Sequence, residues 1–112
     1  MMYVVRNRYK ESLKPADFPK VNKLIDEGII PAMEKVQGVR SVRAFNALSG
    51  EVILLVEIDE LAAIDRALVD EEYGRIAAGM FDYMVRVGGE VWYDRRSWAK
   101  CYGRDTTTQE RP

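Results

Sequence analysis

Two runs of alternating apolar residues, joined at Ser49-Gly50, constrain the fold of this chain more than any other feature. Residues 39–48 and 51–59 have the two-residue period of β-strands, and the Ser-Gly step between them predicts a hairpin. An even-length loop places Val39, Ser41, Arg43, Phe45, Val52, Leu54, Val56 and Ile58 on one face, and Arg40, Val42, Ala44, Asn46, Ile53, Leu55 and Glu57 on the other. Both faces are largely apolar, so helices on one side leave a second side that something else must cover.

One strand precedes the hairpin and is separated from it by a helix. Residues 2–10 alternate, with Tyr3, Val5, Asn7 and Tyr9 on one face and Met2, Val4, Arg6 and Arg8 on the other. Apolar residues at helical spacing then predict a helix that runs from an N-cap at Asp17 to Val36. Because Pro31 has no N–H to donate, we expect a kink or a break at residues 28–31.

Two helices and a last strand follow the hairpin. Asp59 is placed to cap a short helix with an apolar stripe of Leu61, Ile64 and Leu68. A longer helix runs from Tyr73 to Met84 and is stopped by Gly88-Gly89. Residues 90–98 alternate as the last strand, with Val91, Tyr93, Arg95 and Ser97 on one face and Glu90, Trp92, Asp94, Arg96 and Trp98 on the other.

The order strand, helix, strand, strand, helix, strand predicts an α+β, ferredoxin-like fold, with a four-stranded antiparallel sheet and helices on one face. We expect residues 1–103 to form this single domain and residues 104–112 to form a polar tail. The apolar second face predicts a homodimer in which two sheets pack together and close an α/β barrel.

Composition excludes several classes of function. Seventeen basic and eighteen acidic residues give no net field that would attract nucleic acid. The chain has no histidine, which excludes serine-histidine and cysteine-histidine catalysis and haem held by an axial histidine. The single cysteine, Cys101, cannot form an internal disulfide or a multi-cysteine metal site, so we expect no metal, no cofactor and a cytoplasmic location. The apolar run at residues 52–56 is too short to span a membrane, and the residues around Tyr3 lack the pattern of a signal peptide, so we expect neither a membrane anchor nor a signal peptide.

Four segments resemble those of a known superfamily when they are taken in order. They are Tyr3-Val4-Val5-Arg6-Asn7, Gly38-Val39-Arg40-Ser41-Val42-Arg43, Val56-Glu57-Ile58 with Leu61-Ala62-Ala63, and Glu72-Tyr73 with Gly88-Gly89-Glu90-Val91-Trp92-Tyr93. Across residues 2–98 the chain resembles dimeric α/β-barrel proteins, in particular small relatives of the antibiotic-biosynthesis monooxygenases and NIPSNAP-like proteins. The resemblance implies a dimer through the sheet and a cavity, between sheet and helices or inside the barrel, for a small organic molecule.

Because several enzymes of that superfamily depend on histidine, the chemistry left to this chain is run by Tyr, Arg, Asp and Glu, or is simple binding. Arginine side chains from three predicted strands could orient a carboxylate or polarise an enolate. These candidates are Arg6, Arg8, Arg43 and Arg95, and the alternative is that they form salt bridges at a rim or interface. Glu57 could be a proton acceptor if burial raises its pKa, or it could pair with Arg40 across the hairpin.

Aromatic residues supply the remaining candidates. Tyr93 is a candidate catalytic phenol, and Tyr9 and Trp92 are candidates for contact with a planar substrate. Tyr3, Tyr73, Tyr83 and Trp98 belong to the same wider set, and each could instead be a core or interface aromatic residue. The resulting hypothesis is a cofactor-independent enzyme, of monooxygenase, isomerase or cyclase type, that acts on a hydrophobic or aromatic compound. The alternative is a non-catalytic ligand-binding or dimeric interaction domain.

Overall fold

The computed structural model describes residues 1–98. The strands are β1 (Met2–Tyr9), β2 (Val39–Asn46), β3 (Glu51–Ile58) and β4 (Met84–Trp92). The helices are α1 (Phe18–Lys23), α2 (Ile30–Glu34), α3 (Ala62–Val69), α4 (Glu71–Met80) and α5 (Arg95–Trp98), with a 3₁₀ turn at Pro15–Asp17 and a π-helical segment at Leu24–Ile29. Cys101, the domain boundary at residue 103 and the tail at 104–112 lie outside the described residues.

The four strands form one antiparallel sheet in the order β2-β3-β1-β4, which confirms the predicted ferredoxin-like fold. Helices cover one face, and the core between the two layers consists of Val5, Val21, Ile25, Ile29, Met33, Val36, Val42, Val52, Leu54, Val56, Ile58, Ala63, Ala67, Met80 and Met84. We call the other side of the sheet the open face. It carries Met2, Val4, Arg6, Arg8, Ser41, Arg43, Phe45, Glu51, Ile53, Leu55, Glu57, Val85, Glu90 and Trp92.

The first helical stretch changes type where a break was expected. The Ile30 N–H donates to the Ile25 carbonyl, five residues back, which closes a π turn rather than an α turn. Pro31 cannot donate, and its ring would clash with a carbonyl in α geometry, so the wider turn lets the helical path continue into α2. Asp17 accepts a hydrogen bond from the Lys14 N–H at 3.0 Å and does not cap α1 with its side chain.

The β2–β3 loop is odd in length, and the predicted assignment of hairpin faces is therefore wrong. The Ala47 N–H donates to the Glu51 carbonyl at 2.8 Å, which leaves residues 48–50 as a three-residue loop. Gly50, at φ 90°, supplies the left-handed conformation that such a loop needs. Relative to the prediction, β2 is turned over: Val42 and Ala44 join the helix-covered face, while Arg43 and Phe45 lie on the open face. The open face is consequently mixed in character rather than uniformly apolar.

The boundary between α4 and β4 also differs from the prediction. Helix α4 ends at Met80, and the Tyr83 N–H donates to the Met80 carbonyl in the turn that follows. Met84, expected to be helical, is the first residue of β4, and its side chain still enters the core. The glycine pair at 88–89 therefore lies inside the strand, beside a register shift opposite Arg6. Arg95 lies in α5 rather than in the last strand.

Helix α3 begins and packs differently from the prediction. Its N-cap residue is Leu61, and Asp59 instead forms an ion pair with Arg40. The side chains that α3 buries are Ala63 and Ala67, whereas Leu61 and Leu68 of the expected apolar stripe are exposed. Small residues on the buried side let α3 approach Gly38, where an added Cβ would lie 3.0 Å from the Ala63 Cβ.

Candidate functional site

A cavity of about 320 Å³ lies between the helix-covered face of the sheet and helices α3 and α4. We call it the inner cavity. Its lining consists of Tyr3, Met33, Ala67, Leu68, Tyr73, Gly74, Ala77, Ala78, Phe81 and Arg86. A much smaller hollow continues from it toward Val5, Asn7 and Leu54. A mainly apolar pocket of this size with a few polar groups is typical of a small-molecule site.

Neighbouring strands bring together an arginine that lines this cavity and an asparagine that lines the adjoining small hollow. Asn7 on β1 lies opposite Arg86 on β4, and the Arg86 Nε–H donates to the Asn7 Oδ1 at 3.0 Å. The Asn7 residue is only 7% exposed, so this bond gives a buried amide oxygen the partner that it needs. It also orients the guanidinium while leaving its two terminal amino groups available to a ligand.

Arg86 is cationic and has no carboxylate partner among residues 1–98. Its guanidinium carbon lies 5.9 Å from the centre of the Phe81 ring, a distance that permits a cation–π contact. No carboxylate lines the inner cavity within the described part of the chain. An anionic group is therefore the natural partner for this guanidinium.

Tyr73 presents its phenol to the same cavity from the first turn of α4. Asp70 caps that helix by accepting a hydrogen bond from the Tyr73 N–H at 2.8 Å, which holds the residue in place. Burial raises the pKa of the Tyr73 phenol above its ordinary value of 10.0, the charge of Arg86 opposes that rise, and Tyr3 adds to it. The phenol is therefore protonated near neutral pH and serves as a hydrogen-bond donor.

Apolar side chains surround the mouth of the inner cavity. Leu68 of α3 is 67% exposed, and Phe81, after α4, is 45% exposed. Between them the walls are formed by small residues, namely Ala67, Gly74, Ala77 and Ala78. A hydrophobic ligand can therefore contact apolar surface from the mouth inward.

Most of the predicted site residues lie on the open face instead. Arg6, Arg8, Arg43, Glu57 and Trp92 are all there. Arg6 pairs with Glu90 at 3.1 Å and with Glu51 at 3.6 Å, an arrangement that matches the salt-bridge alternative. The Arg43 guanidinium lies 5.6 Å from the centre of the Phe45 ring.

Neither interpretation of Glu57 is found in the protomer. Its side chain lies on the open face and the residue is exposed, so the burial that would make it a proton acceptor is absent. The expected partner, Arg40, sits at a bulge in β2 and pairs with Asp59. Because the loop is odd in length and β2 has this bulge, the side chains that face each other across the hairpin differ from those that the sequence pattern predicts.

Among the predicted aromatic residues, Tyr3 and Tyr73 line the inner cavity, whereas the remaining candidates lie away from it. Tyr9 ends β1 and packs edge-on against Phe18, with ring centres 5.1 Å apart. These two rings line a separate hollow of about 220 Å³ at the hairpin end of the sheet, and burial raises the pKa of the Tyr9 phenol. Tyr93 and Arg95 follow β4, Arg95 being exposed in α5, and neither lines the inner cavity.

Sequence reasoning did not single out Asn7 or Arg86. Arg86 was expected between the long helix and the glycine pair, because the start of β4 was placed six residues too late. Asn7 was placed on the correct face, and an amide on a face otherwise formed by Tyr3, Val5 and Tyr9 was the signal that could have identified it.

A second, more open cleft lies outside the sheet–helix layer. It has a volume of about 520 Å³ and is lined by Lys20, Lys23, Leu24, Glu27, Gly28, Gly79, Asp82 and Tyr83. We call it the outer cleft. The inner cavity is the better candidate site despite its smaller volume, because it is more enclosed and because a buried amide orients its guanidinium.

No group of three or more histidine, cysteine or acidic side chains lies close enough together within residues 1–98 to hold a metal ion. No helix in that range has both the length and the apolar character needed to cross a bilayer.

Comparison with known proteins identifies the fold. No protein-family model matches the chain, and no curated protein matches its sequence. Among solved structures, a dimeric protein of unknown function and ferredoxin-like fold from Bacteroides fragilis has a TM-score of 0.66 at 14% identity, covering 81% of this chain and 94% of that one. An antibiotic biosynthesis monooxygenase has a TM-score of 0.62 at 20% identity, covering 84% and 97%. A variant of SnoaB, a cofactor-independent oxygenase from Streptomyces nogalater, has a TM-score of 0.61 at 14% identity, covering 84% and 93%. The chain thus has the ferredoxin-like fold of antibiotic biosynthesis monooxygenase-like proteins.

Proposed function

We propose that this protein is a cofactor-independent small-molecule enzyme whose substrate is a hydrophobic or aromatic compound bound in the inner cavity. The observation that carries the proposal is the Arg86 guanidinium, oriented by Asn7 at an apolar cavity and without a carboxylate partner among residues 1–98. The fold shared with a monooxygenase and a cofactor-independent oxygenase supports the reaction type.

Arg86 would stabilise negative charge on a substrate oxygen. Arg86 is an exposed residue that lines an apolar cavity, and a guanidinium there favours a bound enolate or phenolate over its neutral form. The protonated Tyr73 phenol can donate a further hydrogen bond. Because no carboxylate lines the cavity within the described residues, the substrate itself must be acidic enough to release its proton to water. Monooxygenation then balances as R–CH₂–R′ + O₂ giving R–CO–R′ + H₂O, with the substrate supplying the electrons. An isomerase or cyclase would use the same stabilised anion.

The open face is proposed to join two copies of the chain. Phe45 and Trp92 are 45% and 44% exposed there, beside the half-buried Ile53 and Leu55. Arg43 and Glu57 on the same face give it both signs of charge, which suits a self-complementary twofold contact. The dimeric protein of the same fold from Bacteroides fragilis supports this assembly.

Oxygen uptake tests the enzymatic proposal. Purified protein is incubated with a panel of acidic aromatic methylene compounds and a metal chelator, and the product is analysed for oxygen from ¹⁸O₂. We expect turnover with at least one compound, and Arg86→Leu should reduce it by about 100-fold, as for loss of an oxyanion-stabilising donor. Arg75→Leu, at an exposed position of α4 outside the cavity, is the matched control and should retain activity.

A non-catalytic binding domain is the second candidate, and it is favoured because no carboxylate among residues 1–98 lines the cavity. Saturable binding of these compounds that depends on Arg86, without turnover of any of them, would establish this candidate in place of the enzyme. Binding and turnover that are both insensitive to Arg86→Leu would reject the inner cavity as the site.

A further inference from the structure

Helix α4 contains two glycines that neither packing nor backbone conformation requires. Glycine is a poor helix former because it loses more backbone freedom than any other residue. A Cβ added at Gly74 would meet no atom within 4 Å, and one added at Gly79 would meet only the Leu24 Cδ2, at an ordinary 3.8 Å. Neither glycine has a positive φ. The presence of glycine at position 74 therefore needs another explanation.

The position of Gly74 supplies such a reason. It lines the inner cavity on the mouth side of α4, one turn before Ala78, while Leu68 borders the cavity from α3. Tyr73 immediately precedes it, and the Asp70 cap holds that part of the backbone in place. A side chain at residue 74 would therefore project into the open space at the mouth.

We propose that Gly74 sets the upper size of the ligand that enters the inner cavity. This inference rests on the proposed function. The absence of a side chain lets a bulky apolar body pack directly against the backbone of α4 while its anionic group reaches Arg86. The ligand class is thus narrowed to apolar anions whose wide part remains at the mouth, and a larger residue at 74 would admit only narrower molecules.

Two aromatic sulfonates with the same anionic group test this size limit. The wide probe is 8-anilinonaphthalene-1-sulfonate, followed by its fluorescence, and the narrow probe is naphthalene-2-sulfonate, followed by calorimetry. Gly74→Leu should weaken the affinity for the wide probe by about tenfold or more and change the affinity for the narrow probe by less than about twofold. Gly74→Ala should weaken the wide probe by a smaller factor.

Two control variants lie on the same helix. Gly79→Ala makes the same substitution beside the outer cleft, and Arg75→Leu places the same leucine outside the inner cavity. Both should leave the affinity for each probe within about twofold of the wild type. Gly74→Ala and Gly79→Ala should both raise Tm by a few degrees, because alanine is the better helix former.

The outcomes separate this inference from the proposed function. If Arg86→Leu weakens both probes but Gly74→Leu weakens neither, or weakens both equally, the size limit is wrong and the inner cavity remains the site. If the wild type binds neither probe, or if Arg86→Leu leaves both affinities unchanged, the proposed site fails and the size limit falls with it.

Discussion

At the scale of single residues, the candidate site depends on a buried amide, Asn7, and on the exposed arginine that it orients, Arg86. Asn7 is buried in the sheet, and its amide oxygen has Arg86 as partner. Leaving such an oxygen unpaired costs about 1–3 kcal/mol, so the bond is both structural and orienting. Tyr73 adds a phenol that burial keeps neutral. These groups give the cavity one positive charge and one donor, which is suited to holding an anion.

Alkaline pH should reveal the buried phenol of Tyr73. The pKa is raised in the folded protein above 10.0, so the unfolded chain loses this proton first as pH rises. The stabilising difference is fully present below pH 10 and is lost as pH rises through the folded pKa. Tyr73→Phe should therefore show a smaller fall in the free energy of unfolding between neutral pH and pH values above 10, measured by urea denaturation.

Tyr83, which borders the outer cleft, provides the matched control. Tyr83→Phe should show the same fall in the free energy of unfolding at alkaline pH as the wild type. If the free energy of unfolding of Tyr73→Phe falls at alkaline pH by as much as that of the wild type, the fall does not come from the Tyr73 phenol.

At the scale of elements, loops and caps decide where side chains point. Gly50 and Gly38 both have positive φ, but their surroundings differ. A Cβ at Gly50 would meet open space, whereas a Cβ at Gly38 would lie 2.9 Å from the Arg66 Nη1. That nitrogen donates to the Gln37 carbonyl at 2.8 Å, so displacing Arg66 would also disturb a hydrogen bond.

Alanine substitution should separate these two glycines. Gly50→Ala should cost about 1–2 kcal/mol, the cost of the left-handed backbone alone. Gly38→Ala should lower the free energy of unfolding by about 1–3 kcal/mol more than Gly50→Ala does, because a steric clash is added to the backbone strain. Urea denaturation of both variants tests the ranking, and equal losses would show that the contact at Gly38 relaxes freely.

The cap of α4 should be measurable in the same way. Asp70→Ala removes the acceptor of the Tyr73 N–H and should lower the free energy of unfolding by about 1 kcal/mol. Asp70→Asn keeps an acceptor oxygen, and asparagine is about as good an N-cap as aspartate. Its free energy of unfolding should therefore stay within a few tenths of a kcal/mol of the wild type. Equal destabilisation by both substitutions would mean that the charge of Asp70 matters rather than its hydrogen bond.

At the scale of the whole molecule, helices cover one face of the sheet, and within residues 1–98 the other face carries exposed side chains such as Phe45 and Trp92. Val4, on the open face, is fully buried, and its cross-strand partners there are Leu55 and Glu90. Around it, exposed aromatic and aliphatic side chains are interspersed with ion-pairing ones. Association through this surface would remove the apolar part from water while leaving the charged part at a rim.

Sedimentation should show a dimer at micromolar concentration. Leu55→Lys places a charge on the open face and should shift the equilibrium toward monomer, because an unpaired buried charge strongly opposes association. Val69→Lys introduces the same charge on α3, where the side chain is 79% exposed, and should leave the dimer intact. A monomeric wild type, or a Leu55→Lys variant as dimeric as the wild type, would reject the open face as the interface.

Local pattern was sufficient for much of the fold but not for the site. The alternation of β1 placed Tyr3, Val5 and Asn7 on one face, as the structure has it, because the side-chain period of a strand is two. Helical spacing was also sufficient to find the helical stretch before β2. It could not distinguish a core methionine at a helix end from one at a strand start, and for this reason Met84 was misplaced.

The sequence by itself determined the order of elements, the ferredoxin-like class and the two faces of β1, since hydrophobic periodicity and turn residues act over short distances along the chain. Only the tertiary structure decided the β2–β3 register and the meeting of Asn7 with Arg86. One residue of loop length turns a strand over, and the Asn7–Arg86 contact joins residues that lie 79 positions apart in the sequence. No local pattern encodes either outcome, because each depends on how distant segments pack.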